Sequence, residues 1–147
     1  MVWICKAFEE LHARELYSIM HLRNQVFVVE QNCVYQDADN KDIYSHHLMY
    51  WDDHRLLAYS RILPAGLGFV ENSIGRIVIS PSQRGTGLGK ILLQKSIEQT
   101  YLLYGKVPIR IGAQLYLKKF YESFNFEPLG PIYLEDDIEH IEMLLSK

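Results

Sequence analysis

Residues 80 to 96 read SPSQRGTGLGKILLQKS, with three glycines in five positions followed by a run in which Ile and Leu recur at helical spacing. Just upstream, IGRIVI at 74–79 has the β-branched character of a strand. A strand, a glycine turn and a helix start in that order leave few folds open. The first N–H groups of a helix have no partner within it and carry partial positive charge. Glycines ahead of them let bare backbone approach an anion. Spacing separates the designs that use this device. A Walker A loop needs glycine at position 84 and a hydroxyl at 91, where the chain has Arg84 and Ile91. A dinucleotide fingerprint needs G-x-G-x-x-G and an acidic residue about 20 positions on. Gly85, Gly87 and Gly89 are spaced G-x-G-x-G instead, and the later region is apolar strand around Ile109. What the turn does contain is Arg84-x-x-Gly87-x-Gly89, with Lys90 either adding charge or solvated on the helix.

The remaining segments arrange themselves around this unit. Residues 2–8 fit a strand, and Leu16, Ile19, Met20, Val26 and Phe27 recur with the spacing of one helix face. Residues 32–45 turn polar and acidic and read as a solvated loop. Two strands, 47–51 and 55–63, flank the turn Asp52-Asp53-His54, and 74–79 forms a third. The glycine turn feeds a helix over 88–104, stopped by Gly105 and Pro108. A strand over 107–113 follows, then a helical stripe of Leu117, Phe120, Tyr121 and Phe124, with Asn125 suited to a left-handed C-cap. Strands over 126–134 and 138–145 close the chain around Glu135-Asp136-Asp137. This order predicts an α/β fold with a mixed sheet, and 147 residues without repeat or linker predict a single domain, 1–147.

The turn resembles the coenzyme A pyrophosphate loop, R/Q-x-x-G-x-G/A, of the GNAT N-acetyltransferases, and the resemblance extends along nearly the whole chain to their ElaA-like branch. It is carried by Arg23-x-x-Val26-Phe27-Val28-Val29-Glu30-Gln31-x-Cys33-x-Tyr35, by Asp39, Asp42 and His46-His47-Leu48, and by Ile74-Gly75-Arg76. Further on it rests on the Arg84 loop, Ala113-Gln114, Phe120-Tyr121 and Tyr133-x-Glu135-Asp136-x-Ile138-x-His140-x-x-Met143. Asn125 and Asp137 stand where the branch often has glycine, and Glu139 where it often has proline; all three touch turns. The resemblance implies a mostly antiparallel sheet with flanking helices and one splayed parallel strand pair. Acetyl-CoA would lie in that splay as acetyl donor to a primary amine. Ile77, Val78 and Ile79 would bond its pantetheine arm through their backbone. Arg84, Gly85, Thr86, Gly87, Leu88, Gly89 and Lys90 would hold the pyrophosphate, with Gln114 also at the cofactor.

Acetylating an amine from a thioester requires a neutral nucleophile, a stabilised oxyanion and a leaving thiolate. Tyr121 is the candidate acid near the sulfur. On the residues alone a core tyrosine bonded to backbone fits equally, and the resemblance favours the acid. Glu30 lies seven residues from Arg23 on an apolar stripe, where a polar residue either pairs structurally or faces a cleft, as a general base or acceptor contact would. His46 and His47 point to opposite sides of a strand, so one of them at most, taken as His47, reaches an acceptor. Glu135 and His140 near the closing turn are further acceptor-site candidates, and a base acting through water fits the sequence as well.

Other chemistries find less support. Asp37-x-Asp39-x-Lys41 breaks the calcium-loop pattern at its third ligand and lacks its glycine, so no metal site is expected. Cys5 and Cys33 show no metal or redox spacing and no neighbouring base, which ranks direct attack in a ternary complex ahead of a ping-pong route. A formal charge of −3, from 15 basic and 18 acidic side chains, argues against a nucleic-acid binder. No apolar run approaches the ~20 residues of a membrane span. The expectation is a cytoplasmic enzyme acting on a small-molecule or protein amine, compatible with a homodimer. The competing expectation is an acyl-CoA-binding module without turnover.

Overall fold

Alternating apolar residues and tight turns set the strands, and the computed structural model, which describes residues 1–146, joins them into one sheet. In chain order they are β1 (Val2–Ala7), β2 (His46–Asp52), β3 (Arg55–Leu63), β4 (Asn72–Ile79), β5 (Ile109–Gln114), β6 (Glu127–Glu135) and β7 (Ile138–Leu145). Across the sheet they run β1-β2-β3-β4-β5-β7-β6. Every adjacent pair is antiparallel except β4 and β5, which are parallel. Residues that accept positive φ hold the bends: Asp53 at the β2–β3 turn, Asp136 and Asp137 between β6 and β7, and Asn125 (φ +71°) ahead of β6.

Helices cover both faces. On one side α1 (Ala13–Arg23) buries Ile19 and Leu22 with Met49, Tyr59 and Val78. On the other, α2 (Leu88–Tyr104) sets Leu88 and Leu92 against Leu48, Ala58 and Ile62, and sets Leu93 and Ile97 against Ile74, Ile109 and Ile111. The short helix α3 (Lys118–Glu122) adds Tyr121 to that second core, beside Phe126. This is the mixed sheet expected from the order of elements, mostly antiparallel and flanked by helices as the resemblance implies.

Two segments depart from expectation. The helix read from Leu16 to Phe27 is α-helical only as far as Arg23; Asn24–Glu30 continues as a π-helix. The wider π turn shifts later residues around the axis, and Val29 and Glu30 end up exposed rather than on the stripe of Ile19 and Leu22. The acidic stretch at 32–45 is not a solvated loop, because Asp37 and Asp42 are buried. Arg23, 0% exposed, donates from Nε to Asp37 Oδ2 (2.6 Å) and from Nη1 to Asp42 Oδ1 (2.7 Å). Arg61 bridges Asp39 and Asp42 at 2.7–2.9 Å, and Arg76 reaches Asp37 Oδ1 at 2.8 Å. Charges this deep persist only when paired, and three arginines from α1, β3 and β4 supply the partners. Burial opposes the charge on Asp39, but its Arg61 hydrogen bonds outweigh that and hold the carboxyl down to about 2.

Candidate active site

The parallel pair separates almost as soon as it forms. β4 and β5 are in register at Asn72–Ile109 and Ser73–Arg110 and at no further position. A bulge bends β4 away: Tyr59 faces Val78 while Arg61 faces Gly75, so two steps along β3 match three along β4, and Arg76 takes φ +48°. From residue 74 onward the β4 edge facing β5 is therefore unpaired, which leaves backbone donors and acceptors that need partners. The separation opens a cleft of about 240 Å³ whose lining includes Ile77, Val78 and Ile79 from β4, Gln114 from β5, Tyr121 from α3 and His140 from β7.

Arg84 also reaches the cleft, from the turn that leads into α2. Gly87 caps that helix with φ +85°, a left-handed conformation, and Gly85 has φ +79°. Thr86 braces the turn by donating from Oγ1 to the Gln83 carbonyl at 2.6 Å. Leu88 is buried in the core, while Gly89 and Lys90 follow in the first turn of α2. A Cβ at Gly89 would meet nothing within 4 Å, so neither packing nor backbone angle explains a glycine there. The first turn of α2 is therefore free of side chains around Gly89, as close approach of an anion to a helix start requires.

The structure unites some of the expected acceptor and catalytic residues and separates others. Tyr121 is 6% exposed and lines the cleft, and burial keeps its hydroxyl pKa above the ordinary phenol range. His140 lines the same cleft, with Glu135 at its side: His140 Nε2 lies 3.5 Å from Glu135 Oε2. Glu30 does not line it; its carboxylate accepts a hydrogen bond from Arg84 Nη2, a consequence of the π turn that carries it outward. His47 is a correction. It is 0% exposed, with Nδ1 2.7 Å from the Tyr59 hydroxyl and Nε2 2.9 Å from the Asp42 carbonyl, and burial pushes its imidazole pKa down. β2 lies two strands from the splay, so His47 serves the buried ion cluster and cannot meet an acceptor. His46 turns the other way, 3.4 Å from the Tyr104 hydroxyl.

Several residues of the site escaped sequence reasoning. Gln31 and Arg76, which stand in the motifs of the resemblance but were given no role, line the cleft, and so does Tyr116, which nothing in its local sequence marks. Gly112 did carry a signal, since a lone glycine inside a strand suggests close approach of another group. A Cβ there would lie 2.8 Å from the Tyr133 hydroxyl.

A splayed parallel pair beside a glycine-capped helix start is an arrangement with known counterparts. Residues 12–147 match the family model for the acetyltransferase (GNAT) domain. The chain belongs to the GNAT family. It is 40% identical over 136 residues to protein ElaA of Escherichia coli strain K12, covering 91% of this chain and 89% of that protein. The crystal structure of Escherichia coli ElaA is similar with a TM-score of 0.91 at 39% identity, over 98% of this chain and 99% of that one. That of an acyl-CoA N-acyltransferase from Pseudomonas aeruginosa gives 0.94 at 40% identity, over 99% of each. GNAT membership and the ElaA-like resemblance read from the motifs agree with these matches. Among the described residues no helix is long and apolar enough to cross a membrane, and no group of side chains is arranged to hold a metal ion.

Proposed function

We propose that this GNAT protein is a single-domain, cytoplasmic N-acetyltransferase that moves an acetyl group from acetyl-CoA to a primary amine of a small molecule or a protein. The observation that carries the reading is the free β4 edge beyond Ser73, which forms one wall of a cleft that also holds Tyr121. An extended amide-bearing arm such as pantetheine satisfies that edge as an added strand would. Its thioester end then lies among the cleft residues, and its pyrophosphate reaches the open amides at the start of α2, near Arg84 and Lys90.

Direct attack in a ternary complex fits the side chains available. Cys5 is raised to about 11 by burial and then by Glu10, and burial, Asp136 and Asp137 all raise Cys33, so neither thiol offers a thiolate for a ping-pong route at neutral pH. Both cysteines are free, in keeping with a reducing compartment. Tyr121, kept protonated by its burial, donates its proton to the departing thiolate.

The test is coenzyme A release from acetyl-CoA across a panel of aliphatic amines, amino-acid amides and peptides. Wild-type protein is expected to turn over at least one of them. Tyr121→Phe is expected to lower kcat about 10²-fold, at the lower end for a general acid, while acetyl-CoA still raises the melting temperature. Stabilisation by acetyl-CoA without turnover of any amine would make the protein a binding module instead. An unchanged rate in Tyr121→Phe would remove the acid from the scheme.

A further inference from the structure

We propose that His140 is the general base of the transfer, taking the acceptor's proton on Nε2; this rests on the acetyltransferase reading above. Nδ1 of His140 lies 2.7 Å from the Ile138 carbonyl. A carbonyl can only accept, so Nδ1 carries a hydrogen, and in the neutral ring the lone pair is the one on Nε2. The ring is also held in place. It stacks on Tyr133 at 5.7 Å between centroids and 28° between planes, and the residue is only 7% exposed. Tyr133 is seated by the missing side chain at Gly112, where any Cβ would crowd its hydroxyl. A base acts well when its reactive atom is fixed and its tautomer decided, and His140 has both.

Its side of the sheet is also the productive one. His140 faces Gln114 across β5 and β7, and the amide of Gln114 is directed at Gln31, 3.5 Å away, which ends the π-helical segment after α1. The neighbouring pair, Ala113 and Ile141, points the opposite way, into the core shared with α2 and Tyr121. Base and acid therefore line one cleft from opposite faces of β5. In this scheme an amine entering from the Gln31 side gives its proton to Nε2, with the thioester between itself and Tyr121. Glu135, 3.5 Å from Nε2 and 62% exposed, connects the imidazole to solvent.

The steps balance. The acceptor arrives as an ammonium and gives one proton to Nε2, which frees the lone pair that forms the C–N bond to the thioester carbon. When the tetrahedral adduct collapses the C–S bond breaks, and the sulfur takes the proton of the Tyr121 hydroxyl. The adduct nitrogen gives its surplus proton to that tyrosinate, and His140 releases the first proton to water beside Glu135. An ammonium and acetyl-CoA become an amide, free coenzyme A and one proton in solution.

The deciding experiment compares two kinds of acceptor. Aliphatic primary amines are charged at neutral pH and need a base, whereas hydroxylamine is already neutral. His140→Gln is expected to lower kcat/KM for a lysine amide or putrescine by about 10²–10⁴-fold. Acetylation of hydroxylamine and affinity for acetyl-CoA should stay near wild type. Equal losses with both acceptors would reduce His140 to a structural residue. No loss, or the same selective loss in Glu30→Gln instead, would also overturn the proposal. Nitrogen-15 NMR of wild-type protein supplies a readout that needs neither turnover nor a folded variant. Protonated Nδ1 and bare Nε2 are expected at His140, and the reverse tautomer overturns the assignment. Wild-type protein that acetylates neither acceptor would take down the acetyltransferase reading itself, a result distinct from a selective or unselective loss in the variant.

Discussion

Two regions of the molecule are built on different principles. On the side proposed for the cofactor, the unpaired edge of β4 and the amides at the start of α2 present main chain, and positions 87 and 89 are glycines. In the other region, the segment at 32–45 has little regular structure, and Arg23 of α1 with Arg61 and Arg76 of the sheet fasten it through Asp37, Asp39 and Asp42. The first relies on backbone geometry and open space, the second on long-range charge pairing. A cofactor shared by many enzymes can be met by main chain alone. The two regions meet at Arg76, which pairs with Asp37 and also lines the cleft.

That contrast predicts where single substitutions hurt the fold. Asp37→Ala removes a carboxylate that accepts from Arg23, Arg76 and Tyr35 together. Arg23 keeps Asp42 but loses half its pairing in a fully buried site, and breaking a buried pair in this way costs about 3–5 kcal/mol. Urea unfolding measures it. Arg23→Met should cost less, because Arg76 and Arg61 still pair the carboxylates it leaves behind. A loss below about 1 kcal/mol in Asp37→Ala would mean the network does not hold this segment in place.

On the backbone wall, substitutions should separate binding from stability. Gly87→Val forces a β-branched residue to φ +85° with no steric contact nearby, so its cost is the left-handed backbone alone, about 1–2 kcal/mol. Gly89→Val has no such angle and open space around it, so stability should hold while its side chain stands over the α2 amides. Both variants are expected to lose affinity for acetyl-CoA by calorimetry. If Gly89→Val binds as wild type does, the open amides are not the pyrophosphate site.

The same division explains what could be read in advance. The strands, the helix over 88–104 and the cofactor turn follow from local periodicity and glycine spacing, and a wall made of backbone announces itself through residues a few positions apart. The buried network joins Arg23 to Asp37 across 14 residues and Arg76 to Asp37 across 39. Each residue in it is locally indistinguishable from a solvated charge, so the loop looked exposed. His47 was misplaced for the same reason, since its partners Asp42 and Tyr59 adjoin it only in the fold. Glu30 was displaced by a π turn that the apolar spacing does not reveal.

Gly112 tests how far the division holds, with the smallest effect expected. It is a glycine in a strand, which suggests the backbone wall, yet its missing side chain makes room for Tyr133 and through it for the stacked ring of His140. Gly112→Ala must push the Tyr133 hydroxyl, which lies at the far end of a side chain that can swing, so the cost should be below about 1 kcal/mol. Tyr133→Phe removes the oxygen that the new methyl meets. On that background Gly112→Ala should be close to neutral, giving a coupling of about 0.5 kcal/mol or more in a double-mutant cycle. Additive effects would show that the glycine is not there for Tyr133. A measured coupling would make Gly112 the point where a missing side chain on β5 sets the position of the ring proposed to receive the acceptor's proton.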